Sequence, residues 1–144
     1  MAFVKIWIHA VWGTKNREPL LTKENRIHLC DHIKQNARMK GLFIDTLNGY
    51  TDHLHCLMSL NAGMSISKQM QLIKGESAFW MNKNSIVKSK FAWANEYFAA
   101  SVSENNLNKV RQYIQGQEEH HRKITFTDEY NNFLKEFGFD MIHG

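Results

Sequence analysis

The sequence predicts an α+β fold with elements in the order βαββαβ, an antiparallel sheet carrying two helices on one face. Three observations carry this. Two runs, one near the start and one near residue 55, alternate apolar and polar side chains with the period of a strand. Two longer stretches space their apolar residues as helices do, each opened by a hydroxyl residue suited to capping. No repeat, low-complexity tract or linker divides the 144 residues, so 1–144 reads as one domain with a sandwich core at about 3–102.

From Phe3 to Trp12 the chain alternates. Val4, Ile6, Ile8 and Ala10 make an apolar face, and Lys5, Trp7, His9 and Val11 a mixed one. Pro19 falls in the turn that follows. A helix is expected from about Lys23 to Lys40, with Thr22 as N-cap, Ile27, Cys30, Ile33 and Ala37 facing the core, and Gly41 as its stop. Strands at about 42–49 and 53–60 come next, joined by a short turn; Leu54, Cys56, Met58 and Leu60 share the apolar side of the second. A second helix begins after Ser65 and carries Ile66, Met70, Ile73, Ser77 and Trp80 on one stripe. The polar segment 82–90 reads as an exposed loop, and a fourth strand at about 93–102 completes a ferredoxin-like, RRM-like order. Two further helices follow, at about 103–122 and 128–137, the last stopped by Gly138.

Composition narrows the function only slightly. A net charge of +4 permits a polyanionic partner without demanding one. No stretch approaches the length of a membrane span, and the N-terminus shows no signal-peptide pattern, so no membrane partner and a cytoplasmic setting are expected. Two cysteines, Cys30 and Cys56, do not suggest a disulfide framework.

If two helices cover the apolar faces of the strands, the opposite sheet face displays Lys5, Trp7 and His9 on the first strand and His53, His55 and Leu57 on the third. Those strands are central neighbours in this plan. Alternation puts the His53 and His55 imidazoles on the same side, roughly 6–7 Å apart at the backbone, a spacing that lets both reach one cation. A lone His-x-His is more often two polar residues on a solvated strand. Here the core-facing Leu54 and Cys56 hold the pair rigidly in mid-sheet. On the helix after the fourth strand, Tyr113 and Gln117 are four residues apart on one face, with His120 close to the same line. Leu107, Val110, Ile114 and His121 form a neighbouring stripe expected to dock on the protein. Taken singly, Tyr113 reads as a boundary aromatic and Gln117 as a good helix former.

Taken together, the ordered motifs resemble a known family. Thr51-Asp52-His53-Leu54-His55-Cys56-Leu57 is similar to the His-hydrophobic-His strand of the HUH nucleases. Nearly the whole chain resembles the single-tyrosine HUH transposases, the TnpA class of the smallest bacterial insertion sequences, with REP-associated tyrosine transposases as close relatives. The resemblance runs from Val11-Trp12 and Thr14-Lys15 through Ser65-Ile66-Ser67-Lys68, Lys74-Gly75 and Trp93 to Tyr97-Phe98. It continues in Val110-Arg111-Gln112-Tyr113-Ile114, Gln117, His120-His121-Arg122-Lys123 and Phe126-x-x-Glu129-Tyr130. Many relatives carry proline where Thr51 stands.

The resemblance implies a mechanism. His53, His55 and the amide oxygen of Gln117 would hold Mg²⁺ or Mn²⁺, and Tyr113 would attack a DNA phosphate to leave a 5′-phosphotyrosine and a free 3′-hydroxyl. It also implies single-stranded DNA bearing a hairpin as substrate, and a homodimer whose Tyr113 helix completes the partner's site. Lys15, Arg17, Lys68, Lys74, Lys83, Lys88, Lys90 and Arg111 become candidates for phosphate contacts, against the simpler reading of solvated surface. His120 and His121 are candidates to flank the metal or phosphate, and Trp7 to stack a base, although a buried sheet aromatic is the commoner fate.

Several rivals share part of this pattern. A nonenzymatic RRM-type binder needs stacking aromatics where this chain has His53 and His55. A histidine-triad hydrolase needs histidine at the position of Leu57, and a two-motif phosphoesterase needs a second His-x-Thr or His-x-Ser strand. A structural zinc site is disfavoured because Cys56 alternates to the face opposite the histidines. A domesticated relative that nicks or binds hairpin repeats without moving an element has the same motifs.

Overall fold

A computed structural model describes residues 3–139. Four strands form one antiparallel sheet: β1 (Trp7–Gly13), β2 (Ile44–Tyr50), β3 (His53–Ser59) and β4 (Phe98–Val102), in the order β2-β3-β1-β4. Helices α1 (Lys23–Met39) and α2 (Ile66–Lys83) connect them across one face. The main core lies between. Ile8, Ala10 and Trp12 of β1 and Leu54, Cys56 and Met58 of β3 meet Leu29, Ile33, Met70 and Ile73 from the helices. The predicted α+β sandwich is therefore the observed one, and β1 and β3 are its central pair.

The caps expected from sequence are made. The Thr22 hydroxyl accepts from the Asn25 backbone N–H and that of Ser65 from Lys68, each satisfying a donor the helix leaves orphaned, worth about 1 kcal/mol. Gly41 ends α1 with φ 73°, a conformation that costs glycine little. Two core assignments shift by one position. Ile27 faces solvent while Arg26 is buried, donating to the Leu21 carbonyl and to Glu118. In α2, Met81 takes the core place predicted for Trp80, whose ring stacks on His32 at a centroid distance of 4.3 Å.

Element ends depart from prediction for reasons of pairing. The first strand begins at Trp7, because its partners stop opposite that residue, at Ser59 of β3 and Val102 of β4. Phe3, Val4 and Ile6, predicted as strand, are exposed. The fourth strand begins at Phe98, opposite Val11; Trp93 makes only an isolated bridge to Thr14. The carbonyls of Ala94, Asn95 and Glu96 between them accept from the Lys74 ammonium.

The helix predicted at 103–122 is not continuous. A short 3-10 turn at Glu104–Asn106 leads into α3 (Leu107–Gln115), and α4 (Gln117–His120) follows after a break at Gly116. Glycine is among the poorest helix formers, and here it lets the axis turn. The final helix, α5 (Phe126–Glu136), starts two residues earlier than predicted because Thr125 caps it through the Asp128 N–H. Gly138, with φ 82°, lies at the expected stop. α3, α4 and α5 cover the second sheet face. Trp7, Leu57, Leu107 and Ile114 form one small core beneath them, and Val11, Phe98, Phe126 and Tyr130 another.

Candidate active site

Because Leu54 and Cys56 are drawn into the main core, His53 and His55 must point to the opposite face of β3. Both are completely buried under α3, α4 and α5. α3 is anchored by Ile114 against Leu57, and by Asn48 of β2 donating to the Ile114 and Gln115 carbonyls. This docking brings Tyr113 and Gln117 over the histidine pair of their own chain. Gln117 Oε1 lies 3.0 Å from His53 Nε2, and its amide nitrogen donates back to the Tyr113 carbonyl.

Two residues that sequence reasoning did not assign to the cluster's centre stand there. Glu129 of α5 is buried, with Oε1 at 3.0 Å from His55 Nε2, 3.1 Å from His121 Nε2 and 3.3 Å from His53 Nε2. Its Oε2 accepts the Tyr113 hydroxyl hydrogen bond. His121, read both as part of the docking stripe with Ile114 and as a candidate to flank the metal or phosphate, stands in the cluster, 3.0 Å from Gln117 Oε1. His120 lies outside that centre, 3.4 Å from the Tyr113 hydroxyl and 3.2 Å from Glu129 Oε2. A signal for Glu129 exists in the sequence. It shares a helical stripe with Phe126, Tyr130 and Phe133, and an acid among aromatics that pack inward is buried with partners.

Electrostatics follow from this packing. Burial, with His55 alongside, lowers the His9 imidazole to about 3, and burial lowers His55 to about 4. Burial also opposes charge on His53, but hydrogen bonds to Asp52 and Glu129 outweigh it and raise its pKa. Burial alone would raise Glu129; the hydrogen bonds to His121, His53 and His55 hold it far below the usual carboxylate range. Burial and the anionic Glu129 push the Tyr113 phenol well above its ordinary value.

His53, His55, His121 and Glu129 each offer one ligand atom, and these atoms lie within 4.8 Å of one another. Their hydrogen-bonding fits a cation. His53 Nδ1 is 2.8 Å from Asp52 Oδ1, and His121 Nδ1 is 2.7 Å from the Ile124 carbonyl oxygen. Acceptors there place each ring's proton on Nδ1, which leaves the neutral ring an Nε2 lone pair aimed at the oxygens of Glu129 and Gln117. Lone pair facing lone pair is unfavourable, so a positive species between them is required: a proton or a metal ion.

The remaining candidates are dispersed. Lys15, Lys68, Lys83, Lys88 and Lys90 are exposed. Arg17 lies over the Phe126 and Tyr130 rings, 4.6 and 5.5 Å from their centroids. Arg111 is held by both carboxylate oxygens of Asp45 at 2.8 and 2.9 Å, and Lys74 by backbone carbonyls, so both already have protein partners. Trp7 is covered by Leu107 and Ile114 and donates its indole N–H to Glu104, which removes it as a stacking platform.

Sequence and structure comparisons place the chain among transposases. The family described as "Transposase IS200 like" matches residues 2–117. The ISDra2 transposase TnpA of Deinococcus radiodurans is 30% identical over 114 residues, covering 76% of this chain and 81% of that protein. The transposase for insertion sequence element IS200 of Salmonella typhimurium is 25% identical over 114 residues, 76% of this chain and 74% of that protein. A crystal structure of a Deinococcus radiodurans protein assigned as a transposase superposes with a TM-score of 0.66 at 27% identity, covering 81% of this chain and 93% of that one. A REP-associated tyrosine transposase bound to a REP hairpin shares the fold, with a TM-score of 0.59 at 19% identity over 86% of this chain and 73% of that one. The chain belongs to the IS200-like transposase family. Among the described residues no helix is long and apolar enough to cross a membrane.

Proposed function

We propose that this transposase cleaves and rejoins single-stranded DNA through a covalent 5′-phosphotyrosine on Tyr113, with a divalent cation, Mg²⁺ or Mn²⁺, held by His53, His55 and Gln117. One observation supports this above the others: the Tyr113 hydroxyl and the Nε2 atoms of His53 and His55 face the two oxygens of one buried carboxylate, Glu129. Nucleophile and cation ligands thus stand side by side.

When bound, the cation supplies Lewis-acid polarisation of the scissile phosphate. The protein does the rest. α3 holds the Tyr113 oxygen beside the histidines, and Glu129 and His120 stand within reach of its proton. Attack by the phenol oxygen forms the tyrosine–phosphorus bond as the phosphorus–3′-oxygen bond breaks, and the departing oxygen takes up a proton as a 3′-hydroxyl. The phosphodiester energy is kept in the new linkage, so the reverse reaction can join a different 3′ end.

Hairpin-bearing single-stranded DNA is proposed as substrate; the hairpin-bound relative of the same fold supports this. The exposed lysines, with Arg17, are the candidates for its backbone. The family resemblance implies a dimer exchanging the Tyr113 helix, and within one chain Tyr113 also meets its own histidines through Glu129. Mixed Tyr113→Phe and His53→Ala/His55→Ala subunits recover some activity if the helix is exchanged, and none if each chain closes its own site. The decisive experiment incubates the protein with single-stranded DNA from the flanks of its gene and Mn²⁺ or Mg²⁺. A covalent adduct is expected, absent in Tyr113→Phe and suppressed by a chelator. Equal cleavage by both proteins would overturn Tyr113 as nucleophile.

A further inference from the structure

We infer that His121 and Glu129, both beyond the stretch 2–117 that matches the family, are ligands of the same cation, and that the enlarged donor set selects a first-row transition ion over Mg²⁺. This rests on the cation reading above and goes further than it, because it assigns two ligands and a selectivity.

Position carries the first part. Glu129 Oε1 does not border the histidine pair from one side; it lies 3.0–3.3 Å from the Nε2 atoms of His53, His55 and His121 at once. With all four ligand atoms within 4.8 Å of one another, side-chain movement alone can close them around an ion. His121 carries the same preparation as His53: an oxygen acceptor fixes its Nδ1 proton and turns the Nε2 lone pair inward. A histidine with only a packing role has no need of that arrangement. Glu129 is the one carboxylate buried among the described residues, and a buried carboxylate requires positive charge or several donors around it. Its Oε2 accepts from the Tyr113 hydroxyl and the Gln117 amide, while the fixed tautomers of His53 and His121 offer Oε1 no proton when those rings are neutral, and a bound cation supplies the charge there.

The chemistry of the donors carries the second part. Three imidazole nitrogens with the oxygens of Glu129 and Gln117 suit Mn²⁺, Co²⁺ or Zn²⁺. Mg²⁺ prefers six oxygens and gives up its water reluctantly. Phe126, whose ring stacks on His53 at 4.0 Å, walls one side of the site with carbon and offers a hydrated ion no oxygen there. Ligation through Oε1 also leaves Oε2 on the Tyr113 hydroxyl, so one side chain holds ion and nucleophile in register.

The test is direct binding by the full chain without DNA. Calorimetric titration with Mn²⁺ and Co²⁺ is run on the wild type, Glu129→Gln, His121→Ala and His53→Ala/His55→Ala, each checked for folding by circular dichroism. Glu129→Gln and His121→Ala should each weaken binding by about 10-fold or more. The wild-type Co²⁺ complex should show the intense visible bands of a low-coordinate ion, reduced in both variants, and excess Mg²⁺ should fail to displace it. If the His53→Ala/His55→Ala protein loses binding while Glu129→Gln and His121→Ala keep wild-type affinity and spectrum, these two residues are not ligands and the smaller set stands. Ready displacement by Mg²⁺ overturns the selectivity. No binding by the wild type overturns the cation reading itself and this inference with it.

Discussion

His9 Nε2 and His55 Nδ1 stand 2.9 Å apart, joining the two central strands through the rings rather than the backbone. If His55 presents Nε2 to a cation, its Nδ1 carries the proton and donates to His9, whose own proton is then on Nδ1. His9 is a positioning residue in this arrangement. It fixes the tautomer and tilt of a ligand without reaching the ion. His9→Phe should therefore weaken Mn²⁺ binding by about 10-fold or more, while His9→Gln, whose amide oxygen can accept the same bond, should recover much of the loss. Equal affinities in titrations of both variants and wild type would remove His9 from this role.

Without metal, the histidine cluster should make stability depend on pH with a maximum near neutrality. His9 and His55 have folded values of about 3 and 4, below the unfolded value of about 6.5. Their contribution is full above pH 6.5 and is lost as the pH falls from there toward 4 and 3, because the unfolded chain binds the protons the folded one refuses. His53 has the opposite sign. Its raised pKa gives a contribution present below about 6.5 and lost as the pH rises through the folded value. Melting temperatures of the chelator-treated protein across pH 4–9 should pass through a maximum; a monotonic rise or fall would contradict these shifts.

Gly49 of β2 lies so close to β3 that a Cβ there would overlap the His53 carbonyl oxygen and meet the Leu54 Cα at 2.9 Å. Gly49→Ala must push two paired strands apart, and backbone cannot swing away as a side-chain tip can. A cost of about 3 kcal/mol is expected from denaturant unfolding, at the upper end of ordinary overpacking. A loss below about 0.5 kcal/mol would show that the strands separate easily here.

Ile114, completely buried against Leu57 and Trp7, fastens α3 to the sheet one residue after Tyr113. Ile114→Ala should destabilise the protein by about 2–5 kcal/mol. Adduct formation should fall further than the folded fraction does, because a loosened α3 no longer holds Tyr113 and Gln117 over the histidines. Adduct yield that merely follows the folded fraction would indicate that Tyr113 is positioned by other contacts.

Much of this was legible from local pattern. The strand period separated Leu54 and Cys56 from His53 and His55, the caps at Thr22 and Ser65 marked two helices, and helical spacing paired Tyr113 with Gln117. What stayed hidden depended on departures from regularity. Helical spacing put His121 on the stripe of Ile114 and the resemblance put it beside the metal, but neither gave its contacts with Gln117 and Glu129, which form across the break at Gly116. Glu129 reads as an acid in the first turn of α5, a place where carboxylates usually just complement the helix dipole. The stripe it shares with Phe126, Tyr130 and Phe133 signals burial, but its partners depend on where α5 lies over the sheet, which no local spacing encodes. The late start of β1 at Trp7 was hidden for a similar reason: strand length is set by the partners, not by the alternation of one strand.

The link from His55 to Glu129 spans 74 residues, and it is among the contacts that complete the site. During synthesis the sheet and its histidines leave the ribosome before α5, so a partly made chain carries Tyr113 without the carboxylate that meets it. Assembly of the cutting centre is thereby deferred until the fold beneath it exists, a question of timing as much as of geometry.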